Sequence, residues 1–144
     1  MSYDIFVVEC DPNSTPDDIF DVLKNSGLPP NPQAAEQNQY LADALMARNP
    51  SLVARGNENI EISEPESATG IQIGLYPNCG TISVPYWHHG ETAQVVFTEI
   101  WTYLEIIQEA SGRLICDFQI EKIIDLATDF EVVLSTYTGT TGES

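Results

Sequence analysis

Residues 71–86 read IQIGLYPNCGTISVPY, and this stretch decides the fold. Ile71-Gln72-Ile73-Gly74-Leu75-Tyr76 alternates along its length, and Thr81-Ile82-Ser83-Val84-Pro85-Tyr86 does so again. A period of two marks a strand with one buried face. Pro77-Asn78-Cys79-Gly80 lies between them and carries turn residues. The spacing therefore predicts a β-hairpin with Ile71, Ile73, Leu75, Ile82 and Val84 on one face. Proline cannot donate to a ladder, so Pro85 marks either the end of the second strand or a sheet edge.

Upstream, Asp4 to Cys10 is a short apolar run ended by Asp11-Pro12-Asn13, which predicts a buried strand. Thr15-Pro16-Asp17-Asp18 supplies a capping hydroxyl, a proline at the first helical position and acids at the positive end of the helix dipole. That helix presents Ile19, Phe20 and Leu23 and closes at Asn25-Ser26-Gly27, followed by a stiff Pro29-Pro30-Asn31-Pro32 connector. A second helix is expected from about Gln33 to Arg48, with Ala34, Leu41, Ala44 and Leu45 inward and Asn49-Pro50 as its stop. Ile60 and Ile62 alternate as in a short strand within the polar stretch 56–70.

Downstream, residues 91–110 give the strongest helical pattern. Val96, Ile100, Tyr103, Leu104 and Ile107 recur at helical spacing, Phe97 and Trp101 widen the stripe, and Gly112 stops it. Leu114 to Asp117 reads as a strand, Phe118-Gln119 as a turn, and Lys122 to Leu126 as the returning partner. Thr128-Asp129-Phe130-Glu131 matches a capping box, whereas Val132, Val133 and Thr136 favour strand; both readings stand for 128–137. The order predicts an α+β fold: a mainly antiparallel sheet of about four to six strands against about two to four helices. One two-layer domain is expected over residues 1–137, with 138–144 as a disordered tail.

The chain carries 22 Asp and Glu against 5 Lys and Arg, a net charge of −17. The first 72 residues hold 12 acids and 3 bases, the remainder 10 and 2, so the acidity is a property of the whole surface. Phosphate binding needs Lys and Arg to displace counterions, so nucleic acid is not an expected partner, nor is an anionic membrane. A basic protein is favoured, because an acidic surface steers such encounters. Cys10, Cys79 and Cys116 are far apart and form neither a disulfide framework nor a zinc pattern, which suits a reducing compartment. Met1-Ser2-Tyr3-Asp4 lacks a basic leader region and Ile5-Phe6-Val7-Val8 is too short for an apolar one, so a cytoplasmic location is expected.

The only two histidines lie in Pro85-Tyr86-Trp87-His88-His89. Adjacent residues on an extended segment point to opposite faces, so His88 and His89 do not naturally grip one ion. A metal would need Glu91, Asp117 or Cys79 brought in by the fold. Cys10 and Cys116 read as buried inert thiols, and Cys79, in a turn, as an exposed and reactive one. No catalytic, metal or cofactor grammar emerges. What remains is surface: Tyr86, Trp87, His88 and His89 as a contact patch at a strand exit, and Glu58, Glu61, Glu64 and Glu66 as a second, acidic face. Completion of the core by Tyr86 and Trp87, and a solvated loop for the glutamates, are the plainer alternatives.

Met1-Ser2-Tyr3-Asp4 with its apolar strand, the strand ending Pro85-Tyr86-Trp87, the helical EIWTYLEIIQEASG at 99–112 and LICDFQ at 114–119 together resemble a group of small bacterial MSYD-type proteins. Such genes are taken to encode immunity proteins of secreted or contact-delivered toxins. In that group the strand after the long helix often ends in a Tyr-Asp-Pro-Gln turn; here Cys116 and Phe118 stand in place of the aromatic and the proline. The resemblance implies a non-enzymatic antitoxin-like protein that binds a cognate, basic toxin protein. The competing expectations are an acidic DNA mimic that inhibits a nucleic-acid-binding protein, a small metal-dependent enzyme using His88 and His89, and an oligomeric scaffold with Trp101 and Tyr103 at a subunit interface.

Overall fold

The structure is a computed structural model that describes residues 2–24, 32–65 and 67–140. Among the described residues seven strands form one antiparallel sheet: β1 (Ser2–Val8), β2 (Val53–Gly56), β3 (Ile60–Ser63), β4 (Gln72–Tyr76), β5 (Cys79–Pro85), β6 (Leu114–Asp117) and β7 (Lys122–Ile123). The same residues form four helices: α1 (Pro16–Lys24), α2 (Ala34–Arg48), α3 (Gly90–Ser111) and α4 (Phe130–Thr140). The α+β fold is as expected, and the sheet exceeds the anticipated strand count because the short strand β2 completes one edge.

The sheet order is β2-β3-β4-β5-β1-β6-β7. The predicted hairpin is β4–β5, in the register Ile73↔Ile82 and Leu75↔Gly80. Pro77 and left-handed Asn78 (φ 64°) make its two-residue turn, the residue pattern of a type II turn. β5 lies inside the sheet and stops at Pro85, so the proline ends a strand rather than occupying an edge.

The core forms where the alternating side chains of the sheet meet α2, α3 and α4. Ile73, Leu75, Ile82, Val84, Tyr3 and Ile5 bury against Leu41, Leu45, Phe97, Ile100, Leu104 and Val133. The odd-even partners Phe6, Val8 and Cys116 face the other way, and there Ile19 and Leu23 of α1 cover them in a smaller cluster. α1 begins with the reciprocal cap its sequence promised: Asp18 N–H donates to Thr15 Oγ1 (3.2 Å) and Thr15 N–H to Asp18 Oδ2 (3.0 Å). The predicted stop at Asn25-Ser26-Gly27 and the connector residues Pro29, Pro30 and Asn31 lie outside the described residues.

Several expectations are corrected. Ala42, rather than Ala44, joins Ala34 as a buried alanine of α2. β7 is two residues long because Asp125 N–H turns away to Asp129 Oδ2 (2.7 Å), which Lys122 also engages at 2.5 Å. The ambiguous segment after Thr128 is helix α4, and it reaches Thr140, past the expected tail start at 138. Trp101 and Tyr103 are buried within the fold, Trp101 donating its indole proton to the Leu126 carbonyl (2.8 Å), so neither is available to a subunit interface.

Candidate functional site

β5 delivers the segment Tyr86-Trp87-His88-His89 to the start of α3. The backbone there divides the four side chains among different surroundings. Tyr86 is half-buried and stacks on Tyr137 with ring centroids 5.3 Å apart, in an aromatic cluster with Tyr3. Trp87 is 62% exposed and donates its indole proton to the Ala68 carbonyl at 3.4 Å. His88 is 4% exposed. Its Nε2 donates to the Thr69 carbonyl (2.6 Å), and its backbone N–H donates to the Tyr137 hydroxyl (3.2 Å). His89 is exposed and caps α3 through its backbone carbonyl, which accepts from Thr92 N–H (3.1 Å) and Ala93 N–H (3.3 Å). The two imidazoles lie in different surroundings, His88 buried and His89 exposed. Among the described residues no group of three His, Cys, Asp or Glu side chains is placed to hold a metal ion.

These contacts converge on the loop after β3. Ala68 and Thr69 are held by Trp87 and His88, and Gly70 (φ 69°) allows the chain to pass beneath them. A Cβ at Gly70 would stand 2.7 Å from Pro85 Cγ and 2.8 Å from Trp87 Cζ2, so the loop and the Pro85-Trp87 ridge fit only without a side chain. The segment expected as a contact patch is in good part a clamp, with Trp87 and His89 as its outward residues.

The acidic face is divided too. Glu58 is exposed in the β2–β3 turn. Glu61 faces the side of the sheet away from α3, in a shallow cleft with Gln72 and Thr81. Glu64 turns towards the helices and is half-buried. Glu66 lies outside the described residues. The three described glutamates, Glu58, Glu61 and Glu64, therefore do not share one face.

Glu64 instead lines a cavity of about 490 Å³ between the end of α2, the loop after β3 and the first half of α3. Its polar walls are Arg48, Asn49, Glu64, Glu99 and Tyr103. Asn49 Nδ2 donates to Glu64 Oε1 (2.7 Å) and to the Tyr103 hydroxyl (3.0 Å), stitching α2, the loop and α3 together. Burial and the neighbouring Glu64 carboxylate raise the Glu99 carboxyl above its ordinary range, against the opposing pull of Arg48 and Tyr103. Thr69 forms part of the same wall, so the His88 bond fixes one side of the cavity. A half-buried, raised carboxyl in a cleft makes this cavity the candidate site. Sequence reading missed Glu99, Arg48 and Asn49. The available signal was Glu99 four residues before Tyr103, on the border of the apolar stripe of α3.

The remaining reactive groups are interior. Burial pushes the Cys116 thiol up to about 11, with Asp117 adding to the effect. Cys79, expected to be exposed, is half-buried at the start of β5, and burial raises its thiol as well. Asp117 is fully buried; it accepts the Tyr3 hydroxyl proton and the Gln119 backbone N–H (2.8 Å). In the Cys116-Asp117-Phe118-Gln119 turn the aspartate thus works as a structural clasp. No protein-family model, curated protein or solved structure matches this chain.

Proposed function

We propose that this chain is a non-enzymatic immunity protein that binds and neutralises a cognate toxin through a basic surface of that toxin, in the cytoplasm. One observation carries the reading. Of the described acidic side chains only Asp117 and Asp129 are buried. The other described acids stand at or near the surface of every layer, while Arg113 is withdrawn into the interior and Lys122 is engaged by Asp129. Such a surface accelerates encounter with a basic protein by long-range attraction and repels nucleic acid. The exposed Trp87 beside the acidic cavity adds a rigid aromatic of the kind that anchors interfaces. The resemblance to MSYD-type proteins gives the basic partner its identity as a toxin. Among the described residues no helix is long and apolar enough to cross a membrane.

The test is co-expression with the product of the neighbouring gene. Growth arrest by that product alone, relieved by this chain, supports the reading. A harmless neighbour, or a toxic one that this chain does not neutralise, overturns it.

A further inference from the structure

The cavity beside Glu64 has walls of two kinds. Val95 and Val96 form an aliphatic side. Thr98 and Thr102 extend it, since their hydroxyls are spent on the carbonyls of Gln94 (2.8 Å) and Thr98 (3.1 Å) one turn back, leaving their methyls as the other substituent. Opposite stand the polar walls, and there acceptors outnumber donors. The Asn49 amide already gives its protons to Glu64 and Tyr103. Each carboxylate has about four lone-pair sites, so Glu64 and Glu99 keep acceptor capacity in hand. Two carboxylates against the single guanidinium of Arg48 also leave a negative balance.

We propose that this cavity receives the cationic head and aliphatic stem of an arginine or lysine side chain presented by the protein partner. This deepens the reading above and rests on it. The stem lies along Val95 and the threonine methyls, while the head sits between Glu64 and Glu99, where it relieves their mutual repulsion. A planar guanidinium can bond both carboxylates at once, which favours arginine. Desolvated pairs of this kind carry much of the binding energy at interfaces.

The probe is N-acetyl-arginine-methylamide, titrated into the isotopically labelled full chain and followed by NMR. Its uncharged counterpart, N-acetyl-citrulline-methylamide, has the same shape without the charge. The proposal expects saturable shifts centred on Asn49, Thr69, Glu99 and Tyr103, with a Kd on the order of millimolar, and none with citrulline. Glu99→Gln and Glu64→Gln, each giving an otherwise unchanged spectrum, should weaken binding by roughly tenfold. Equal shifts from both probes, or shifts spread over the whole acidic surface, overturn it. The source of the cation is tested separately in the toxin assay. Loss of neutralisation by Glu99→Gln assigns the cation to the partner. Full neutralisation by that variant removes the partner from the cavity while leaving the immunity reading intact. Probe binding in a chain that neutralises no toxin overturns the assignment to a partner side chain.

Discussion

The imidazole of His88 donates to the carbonyl oxygen of Thr69 across 2.6 Å, joining the end of the central hairpin to the wall of the acidic cavity. That bond crosses 19 positions of sequence and is nearly shielded from water, since His88 is 4% exposed. His88→Ala would leave the Thr69 carbonyl short of a donor, at a cost of about 1–3 kcal/mol. Denaturant unfolding measures the loss, and faster amide exchange at Thr69 to Ile71 would show the loop released.

Glu99 should carry a stability cost at neutral pH. Its carboxyl holds a proton more tightly in the folded chain than in the unfolded one. Ionisation therefore penalises the fold, and the penalty grows as pH rises from the unfolded carboxyl range through the higher folded one. Glu99→Gln removes the charge, so the variant should melt above the parent at about pH 7. The gap should close at about pH 4, where the parent carboxyl is protonated. Thermal melts at the two pH values decide it. A Glu99→Gln chain less stable than the parent at neutral pH would contradict the assignment.

The buried pair of Tyr3 and Asp117 should be the costliest hydrogen bond to break. Burial raises the Asp117 carboxyl, and the Tyr3 hydroxyl partly lowers it again. Tyr3→Phe deletes that donor within the core and should cost about 1–3 kcal/mol. The folded Asp117 carboxyl would then rise further above its unfolded value, and a raised carboxyl loses stability as pH climbs. The deficit of the variant should be largest at neutral pH and shrink on acidification, as urea titrations over a pH series would record.

Two glycines separate backbone strain from crowding. Gly112 ends α3 with φ 73° and has no atom within 4 Å of where a Cβ would stand. Gly112→Ala should cost about 1 kcal/mol from conformation alone. Gly70 (φ 69°) has the same handedness but meets Pro85 and Trp87. Gly70→Ala should cost more, about 1–3 kcal/mol, and should also move the Trp87 indole N–H resonance. Equal losses at the two sites would mean that Trp87 does not sit over the loop.

Thiol chemistry gives a further check. With Cys116 pushed up to about 11 and Cys10 and Cys79 raised by burial, thiolate is scarce at neutral pH. A disulfide reagent at about pH 7.5 should label Cys116 only on unfolding and the other two slowly, in contrast to the reactive Cys79 that a turn position suggested. Rapid labelling of Cys116 in the native chain would contradict its burial.

Local rules made much of this fold readable from the sequence. The β4–β5 hairpin follows from alternation about Pro77-Asn78, α1 from Thr15 and Asp18, and α3 from its stripe and Gly112. β2 escaped notice because Val53–Gly56 is a four-residue edge strand with no buried alternation to advertise it. His88 reads as polar in a sequence, yet it is buried because a carbonyl from a distant loop satisfies it. Glu99 looked like one acid among many; burial, and then the approach of Glu64 from another element, distinguish it. Acidity that is uniform along a chain hides the few carboxylates that tertiary structure brings together.

The position of β1 between β5 and β6 has a consequence for how the chain must assemble. Ser2–Val8 leaves the ribosome well before its ladder partners, residues 79–85 and 114–116. The strand stays unsatisfied on both edges until most of the chain has followed it. Contacts this far apart in sequence raise contact order and slow folding, because long loops close before any reward is collected. For that interval the apolar run Ile5-Phe6-Val7-Val8 is an open template for aggregation, and the acids flanking it, Asp4 and Glu9, stand where gatekeeper charges protect nascent strands.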